Sequence, residues 1–366
     1  MTCDFLRSAN AGIQLLQPYQ TGKPIEELER ELGIKHIVKL ASNENPLGPG
    51  HMALAAAKSA LNDLHRYPDG SGFHLKAALA EKLDVHPQQI TLGNGSNDVL
   101  ELIARSWLAP GDEVIFSEHA FAVYPLVTLA CSAKPVQVPA VCFGHDLEAM
   151  ADAVTERTKI IFIANPNNPT GTWFHRSALE LFLKKVPEHV LVVLDEAYFE
   201  YVEEAYYPNG LHYLEAHPNI IVTRTFSKIY GLASLRIGYG ISSAAIADVL
   251  NRVRQPFNCN AVALAAAQAA LADDSYLDDS RSENAAGLGQ LVEGLERLGM
   301  TVIPSVANFI AFDCQREAMP LYQALLAQGV IVRPIEAYGL PNHLRVSIGL
   351  SRENERFLQA LEQVLA

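Results

Sequence analysis

The sequence predicts an α/β fold in which a large domain, built on a mostly parallel sheet covered by helices, is followed by a smaller α+β domain. The chain has 366 residues, 49% of them hydrophobic, which is more apolar material than one ordinary core requires. Short, wholly apolar, β-branched runs alternate with helical patterns up to about residue 255, as expected for strands buried on both faces. The pattern then changes, which indicates a second unit.

The large domain is predicted over residues 46–255. Helices are expected at 51–65, 73–83 and 97–108, and strands at 89–92, 113–116, 159–164, 190–194, 220–224 and 236–240. Strands that alternate with helices are typical of layered α/β domains. Ligands bind beyond the carboxyl ends of strands in such sheets, so the loops after these strands are the expected place for chemistry.

The smaller domain is predicted over residues 256–366. An alanine-rich run at 261–272 is too short to cross a bilayer and indicates a packed helix. Helices are expected at 282–298 and 352–365, and strands at 307–312 and 344–348. Residues 1–45 contain few strand signals, and we expect them to form an arm that packs on the small domain.

The charge and cysteine content exclude several classes of protein. The net charge of −13 argues against a nucleic-acid binder, which needs clustered Lys and Arg. The five cysteines are odd in number and form no CxxC pair, so neither a disulfide framework nor a metal site is expected. Reduced thiols and an N-terminus without a signal-peptide pattern indicate a cytoplasmic protein without a membrane association.

A lysine follows one predicted strand in the stretch Thr-Phe-Ser-Lys, which ends at Lys228. A lysine amine whose pKa is lowered can form a Schiff base with an aldehyde. The hydroxyls of Thr225 and Ser227, together with the guanidinium of Arg236, form a plausible phosphate clamp, because arginine binds phosphate oxygens through two donors. Taken alone, the stretch is equally compatible with a solvated surface lysine.

Polar residues follow two other predicted strands. Asp195 ends a five-residue apolar run, with Tyr198 three residues later, and a buried carboxylate is costly unless it is paired. Asn168 lies in the turn-rich stretch NPNNPTG after the strand at 159–164. Considered without the other motifs, Asp195 is a turn or helix-capping residue, and the stretch NPNNPTG is an ordinary loop.

Small residues join the strand at 89–92 to its helix. Gly95, Ser96 and Asn97 would let backbone N–H groups approach an anion at the helix N-terminus, although a tight turn with a capping serine explains them equally well. Tyr124, in FAVYP, is a candidate for stacking on an aromatic ligand or a core tyrosine.

Three further residues are candidates for binding. Asn43 and Tyr67 lie in the turn-like stretches ASNENP and RYPDG, and Arg345 lies within the strand-like LRVSIG. A buried arginine without an anion is costly, so Arg345 should meet an internal carboxylate or a substrate.

In their order along the chain, GNGSN, FAVYP, NPNNPTG, DEAY, TFSK, LRIGY and LRVSIG resemble the fold-type I pyridoxal-phosphate (PLP) aminotransferases. The longer stretches ASNENPLGP, RYPDG, DEAYFEY and RTFSKIYGLASLRIGY are similar to the histidinol-phosphate aminotransferases. The resemblance runs from about residue 43 to 349. It implies the transfer of an amino group from L-histidinol phosphate to 2-oxoglutarate, giving imidazole-acetol phosphate and glutamate in histidine biosynthesis.

The resemblance also implies how the PLP cofactor is held. Lys228 would be the Schiff-base lysine and proton carrier, and Asp195 would pair with the pyridine nitrogen. Tyr198 and Asn168 would hold the ring oxygen, while Tyr124 would stack on the ring. The residues implied for the cofactor phosphate are Gly95, Ser96, Thr225, Ser227 and Arg236, with Asn97 as a further candidate.

Substrate and subunit contacts follow from the same resemblance. Arg345 would bind the carboxylate of glutamate or 2-oxoglutarate, or the phosphate of histidinol phosphate. Tyr19 and Asn43 would line the substrate pocket, and Arg333 is a further candidate for anion binding. Tyr67 would reach the cofactor phosphate of a neighbouring subunit, which implies a homodimer.

The sequence departs from the family at one position near Lys228. Ser234 stands where a glycine is more usual in the family, and because serine is small we expect little effect.

Other activities remain open. An aromatic amino-acid aminotransferase would use the same residues. A PLP-dependent decarboxylase acting on threonine phosphate would differ in losing CO2 from Cα. A non-catalytic PLP-binding module is the alternative from a non-enzymatic class, but the chain shows no additional DNA-binding segment.

Overall fold

The computed structural model describes residues 4–18 and 22–366. The α-helices of these residues are α1 Phe5–Ser8, α2 Ile25–Leu32, α3 His51–Ala60, α4 Phe73–Leu83, α5 Ser96–Trp107, α6 Val123–Ala130, α7 Leu147–Asp152, α8 Arg176–Lys185, α9 Ala244–Val253, α10 Ala261–Leu271, α11 Asp274–Arg297, α12 Ala318–Ala327 and α13 Ser351–Leu365. The strands are β1 Val38–Lys39, β2 Ile90–Gly93, β3 Glu113–Ser117, β4 Lys134–Val138, β5 Thr158–Ala164, β6 Leu191–Asp195, β7 Ile220–Thr225, β8 Gly238–Ser242, β9 Thr301–Ile303, β10 Phe309–Asp313, β11 Val330–Ile331, β12 Arg333–Pro334 and β13 His343–Ser347.

The larger unit is built on a seven-stranded sheet with the order β2-β8-β7-β6-β5-β3-β4. Neighbouring strands from β7 to β4 are parallel, whereas β8 runs antiparallel to both β2 and β7. The predicted α/β class with a mostly parallel central sheet is confirmed. The carboxyl ends of β5, β6 and β7 meet at one edge, which brings the loops after these strands together.

Both faces of this sheet are buried. In β5, Ile161 and Ile163 belong to one apolar cluster, while Ile160 and Phe162 belong to another on the opposite face. Alternate side chains of a strand point to opposite faces, so a continuous apolar run satisfies two layers of helices at once. Each fully buried side chain of this kind contributes about 1.5–3 kcal/mol to folding.

The smaller unit contains the antiparallel sheet β12-β13-β10-β9 and the parallel pair β1-β11. Helices α11, α12 and α13 supply its apolar cluster, which includes Leu291, Leu325 and Phe357. Strand β1 pairs with β11, so residues 38–39 join this unit, whereas Gly12 contacts the larger unit through the Ser132 hydroxyl.

The alanine-rich helix α10 packs on the larger unit. Ala263, Ala266 and Ala270 are buried in the same cluster as Ala53 of α3, because small side chains let the two helices approach closely. This packing favours a domain boundary near the start of α11, later than the boundary after residue 255 that the sequence suggests. Within the described residues, no helix is both long and apolar enough to cross a membrane.

Candidate active site

Lys228 lies in a cavity at the carboxyl edge of the large sheet. The cavity is lined by convergent polar side chains that include Asp195, Ser227 and Arg236, the kind of groups that fix the orientation of a small ligand. The Lys228 amine donates hydrogen bonds to the carbonyl oxygens of Ser42 (3.1 Å) and Asn43 (3.3 Å). Burial lowers the pKa of this amine to about 7, and the positive charge of Arg345 acts in the same direction. The amine is therefore partly neutral, and so nucleophilic, at physiological pH.

Asp195 faces the same cavity from the end of β6. Its carboxylate accepts hydrogen bonds from the hydroxyls of Tyr124 (2.9 Å) and Thr223 (3.1 Å). Burial nevertheless raises the pKa of Asp195 to about 6. A buried carboxylate of this kind gains from a cationic partner, and it lies where a ligand could supply one.

A polar cradle forms where α5 meets the loop after β7. The Arg236 guanidinium donates to the Ser227 hydroxyl (3.2 Å), and the Ser227 backbone N–H donates to the Thr225 hydroxyl (3.1 Å). Ser96 begins α5 and, with Asn97, lines the cavity. A helix N-terminus, hydroxyls and a guanidinium together form a site suited to a phosphate.

Gly95 makes this cradle possible. Its backbone has a φ of +83°, a conformation that favours glycine. A β-carbon at this position would lie 2.2 Å from Nη2 of Arg236. The absence of a side chain therefore lets the guanidinium lie against the start of α5.

Asn168, Tyr198 and Arg345 lie together on the side of the cavity nearest the small domain. The Arg345 guanidinium donates to the Asn168 side-chain oxygen and to the Ala41 carbonyl oxygen (2.9 Å). The Tyr198 hydroxyl accepts a hydrogen bond from the Asn43 side-chain amide (3.0 Å). Because Arg345 occupies the oxygen of Asn168, the amide nitrogen of Asn168 is the group left to donate to a ligand.

Tyr124 takes a different place from the one expected. It is fully buried, its ring stacks on Phe162 at 4.7 Å, and its hydroxyl binds Asp195. Phe121, three residues earlier in FAVYP, lines the cavity instead. Because α6 begins at Val123, Phe121 stands just before the helix at the cavity wall while Tyr124 is turned into the core. Tyr124 thus acts on the site through Asp195.

Two expected site residues lie elsewhere, and a third cannot be placed. The backbone of Arg333 pairs with that of Arg345 across β12 and β13, and its side chain lines a second cavity where the N-terminal segment, the large domain and the small domain meet, together with Leu16, Phe116 and Tyr338. Tyr67 is 83% exposed and stacks on Phe257, outside the cavity of its own chain. Tyr19 lies outside the described residues.

Comparison with known proteins agrees with this geometry. The family model for aminotransferase class I and II matches residues 35–361. Histidinol-phosphate aminotransferase 2 of Pseudomonas fluorescens is 61% identical over 368 residues, which cover 100% of both chains. This chain belongs to the histidinol-phosphate aminotransferases. Histidinol-phosphate aminotransferase 2 of Pseudomonas aeruginosa is likewise 61% identical, over 99% of each chain.

A solved structure shares the whole architecture of this aminotransferase. The crystal structure of histidinol-phosphate aminotransferase from Sinorhizobium meliloti, in complex with pyridoxal-5'-phosphate, has a TM-score of 0.90 at 31% identity. It covers 98% of this chain and 97% of its own. The resemblance stated from the motifs is thereby confirmed at the level of the family and the fold.

The aminotransferase contains a buried ion pair behind Asp195 that sequence reasoning missed. Glu196 and Arg224 lie on the opposite side of β6 and β7 from the cavity, and the Arg224 guanidinium donates to one Glu196 oxygen at 2.7 and 3.0 Å. The other Glu196 oxygen accepts the backbone N–H of Gly210 (2.7 Å). The pair joins the two strands that carry Asp195 and Thr225. The only sequence signal was a second acid directly after Asp195.

The raised pKa of Asp195 predicts a pH-dependent difference in stability. The folded aminotransferase retains the Asp195 proton up to about pH 6, whereas an unfolded chain releases it near pH 4. The stability associated with the protonated form is therefore lost as the pH rises from about 4 to about 6. Asp195→Asn carries no such proton, so its free energy of unfolding relative to the wild type should increase over this interval. Urea denaturation of both ligand-free proteins at several pH values measures the difference, and a constant difference would contradict the assignment.

Proposed function

We propose that this aminotransferase transfers the amino group of L-histidinol phosphate to 2-oxoglutarate, giving imidazole-acetol phosphate and glutamate in histidine biosynthesis. The observation that carries the proposal is the meeting of the Lys228 amine, the Asp195 carboxylate and the Arg236 cradle in one cavity. Relatives also support the proposal, because two proteins named histidinol-phosphate aminotransferase are 61% identical to this chain over almost its whole length.

Pyridoxal 5'-phosphate is the cofactor, and the cavity fits it in three respects. The Lys228 amine, with a pKa of about 7, suits attachment to an aldehyde. The cradle of Ser96, Ser227 and Arg236, which a β-carbon on Gly95 would fill, suits a phosphate. The buried Asp195 carboxylate suits a protonated pyridine nitrogen. When bound, the cofactor supplies an electron-withdrawing ring that stabilises negative charge at the substrate Cα.

The remaining contacts with the cofactor are assigned by position. Thr225 and Asn97 would complete the phosphate cradle, and the Asn168 amide and the Tyr198 hydroxyl would hold the ring oxygen. The Phe121 ring stands at the cavity wall, where an aromatic face can pack on the cofactor ring.

Lys228 performs the proton transfer. With the cofactor bound, Lys228 would hold it through Nζ, and the same Nζ, when detached, would take a proton from the substrate Cα and give one back. A base with a pKa near the operating pH is suited to both directions of this transfer, and burial supplies that pKa. Asp195 would hold the pyridine nitrogen of the cofactor in its protonated form.

Arg345 binds the anionic group of each substrate in turn. Its guanidinium is buried beside the cavity and oriented by Asn168 and Ala41, and it suits the carboxylate of 2-oxoglutarate or the phosphate of histidinol phosphate. Asn43 lines the same side, and Arg333, which faces the second cavity, is a further candidate for binding an anionic group of the substrate.

The test is a comparison of amino donors. The enzyme with pyridoxal phosphate and 2-oxoglutarate is mixed separately with histidinol phosphate, phenylalanine, tyrosine and threonine phosphate, and glutamate formation is followed. We expect the highest kcat/KM with histidinol phosphate. Activity with phenylalanine and tyrosine alone would replace it with an aromatic aminotransferase, and CO2 release from threonine phosphate without glutamate would replace it with a decarboxylase.

We also propose a homodimer in which Tyr67 reaches the cofactor phosphate of the partner's site. Support comes from the exposed Tyr67, Phe73 and Phe257 side chains, which form apolar surface suited to a second copy. Mixing Lys228→Ala with Tyr67→Ala subunits should restore activity, because each mixed dimer has one site with both native residues. Mixtures no more active than the separate variants would contradict contact between subunits.

A cytoplasmic location is part of the same proposal. Cys131, Cys142, Cys259 and Cys314 are free thiols, and a reducing compartment maintains thiols in this state. Fractionation of cells that produce the enzyme should recover its activity with cytoplasmic markers, and recovery outside that fraction would contradict this part.

Gly95→Ala is expected to weaken cofactor binding at least tenfold. Its β-carbon would displace the Arg236 guanidinium, and loss of about 1.4 kcal/mol from one phosphate contact corresponds to a factor of ten. Gly111→Ala is the matched control, because Gly111 also has a positive φ but nothing lies within 4 Å of its β-carbon position. Titration of the ligand-free proteins with pyridoxal phosphate measures the difference, and equal affinities in the two variants would refute the role of Gly95.

A further inference from the structure

The segment Ala41–Asn43 connects the small domain to the reacting lysine. The carbonyl oxygens of Ser42 and Asn43 accept the two hydrogen bonds of the Lys228 amine. Asn43 has a φ of +54°, which is uncommon for a residue with a side chain. Asparagine tolerates this conformation better than most residues with a side chain, and the hydrogen bonds of Asn43 fix where the two carbonyls point.

Ser347, at the end of β13, makes two of these contacts. Its hydroxyl oxygen accepts the backbone N–H of Asn43 at 2.7 Å and donates to the Asn43 side-chain oxygen at 3.1 Å. Both residues are almost fully buried, so no water can replace the hydroxyl without a rearrangement. The serine thus holds both the backbone and the side chain of Asn43.

Two other small-domain residues fix the segment from either end. The Asn308 side-chain amide donates to the Asn43 carbonyl oxygen at 3.0 Å, and Arg345 donates to the Ala41 carbonyl oxygen at 2.9 Å. Arg345 and Ser347 lie on the same strand, two residues apart, and therefore on the same face of it. Strand β13 holds both the anion-binding arginine and the segment that meets Lys228.

We propose that Ser347 is a positioning residue for Lys228, acting through Asn43. Its hydroxyl holds Asn43 in the left-handed conformation that directs the Ser42 and Asn43 carbonyls to the lysine amine. These carbonyls then receive the amine whenever it is detached from the cofactor, and they hold it for proton transfer. The inference rests on the proposed role of Lys228 and extends it to a residue that touches neither cofactor nor substrate.

The charge state of the lysine gives a readout that a purely structural residue would not change. Two carbonyl oxygens stabilise the ammonium form, so loss of their alignment should lower the pKa of the amine further. The charged or titratable groups that face it are Arg345, Arg236, Glu44, Asp195 and Tyr198. All five remain in a variant of Ser347, so a shift would arise from the carbonyls.

The experiment measures how fast ligand-free enzyme regains covalently bound pyridoxal phosphate at different pH values, since only the neutral amine reacts. For Ser347→Ala, we expect the midpoint of the rate–pH profile to fall by about one unit, the size expected for loss of one hydrogen bond to a charged amine. The plateau rate should fall as well. Ser347→Thr keeps the hydroxyl and should restore the wild-type midpoint.

A control variant separates positioning from stability. Ser242→Ala removes another buried serine hydroxyl, at the opposite end of the large sheet, and should leave the midpoint unchanged.

The outcomes distinguish this inference from the proposed function. A wild-type enzyme that forms no bond between Lys228 and pyridoxal phosphate would overturn the proposed function. The wild type could instead bind pyridoxal phosphate covalently while Ser347→Ala and Ser242→Ala show the same midpoint of the rate–pH profile. That result would overturn the role of Ser347 alone.

Discussion

Replacing Lys228 by alanine is expected to lower kcat for amino transfer by at least about 10⁴-fold. The reason is that this one residue supplies both the covalent bond to the cofactor and the proton transfer at the substrate Cα. The alanine variant retains the phosphate cradle and Asp195, so it should still bind pyridoxal phosphate, but without a covalent bond. Initial rates with histidinol phosphate and 2-oxoglutarate measure the loss, and circular dichroism checks the fold.

A second lysine provides the control for this loss. Lys184 lies exposed near the end of α8, outside the cavity, and Lys184→Ala should keep wild-type rates. A Lys228→Ala protein that is folded and retains more than about one hundredth of the wild-type kcat would be incompatible with general acid–base catalysis by this residue.

Asp195→Asn is expected to lower kcat by about 10²–10³-fold, the size typical for removal of one electrostatic contact to developing charge. Asparagine keeps the shape of the side chain and can keep the hydrogen bonds with Tyr124 and Thr223. It carries no negative charge, so it cannot hold the pyridine nitrogen protonated. The measurement is kcat with histidinol phosphate under saturating cofactor.

Substitution of the adjacent carboxylate, Glu196, should affect stability more than kcat. Glu196 faces away from the cavity, and Glu196→Gln leaves the buried Arg224 without its anion. Breaking a buried pair costs about 3–5 kcal/mol, so stability should fall by up to that amount while kcat changes much less than in Asp195→Asn. If Glu196→Gln lowered kcat more than Asp195→Asn, the assignment of Asp195 to the reaction and of Glu196 to stability would be wrong.

Periodic patterns predicted the strands at the centre of the fold well. The expected strands at 159–164 and 190–194 lie within one residue of β5 and β6, because strands buried on both faces need continuous apolar side chains. Helix α4 was predicted with the observed bounds. No pattern predicted the longer elements α2, α6, α7, α8, α9, α12 and β4, or the short strands β1, β9, β11 and β12. Of these, α6 contains Pro125, and β4 is short and only partly buried, so neither carries a clear pattern.

Site residues that follow a strand were predicted from local sequence, whereas those held by contacts distant in the chain were not. Lys228, Asp195 and Asn168 each follow a buried strand and line the cavity. The hydrogen bonds between Ser347 and Asn43 join residues 304 positions apart, and no local pattern indicates such a contact. Phe121 and Tyr124 share one motif, and only the start of α6 decides which of them reaches the cavity.

The most direct test of the central claim is to identify the residue that carries the cofactor. The enzyme with pyridoxal phosphate is treated with borohydride, which reduces the carbon–nitrogen double bond to a stable single bond, and is then digested for mass spectrometry. We expect the added cofactor mass on the peptide that contains Lys228, and no such peptide from Lys228→Ala. A cofactor mass on another lysine of the wild-type enzyme, with Lys228 unmodified, would contradict the assignment of the active site.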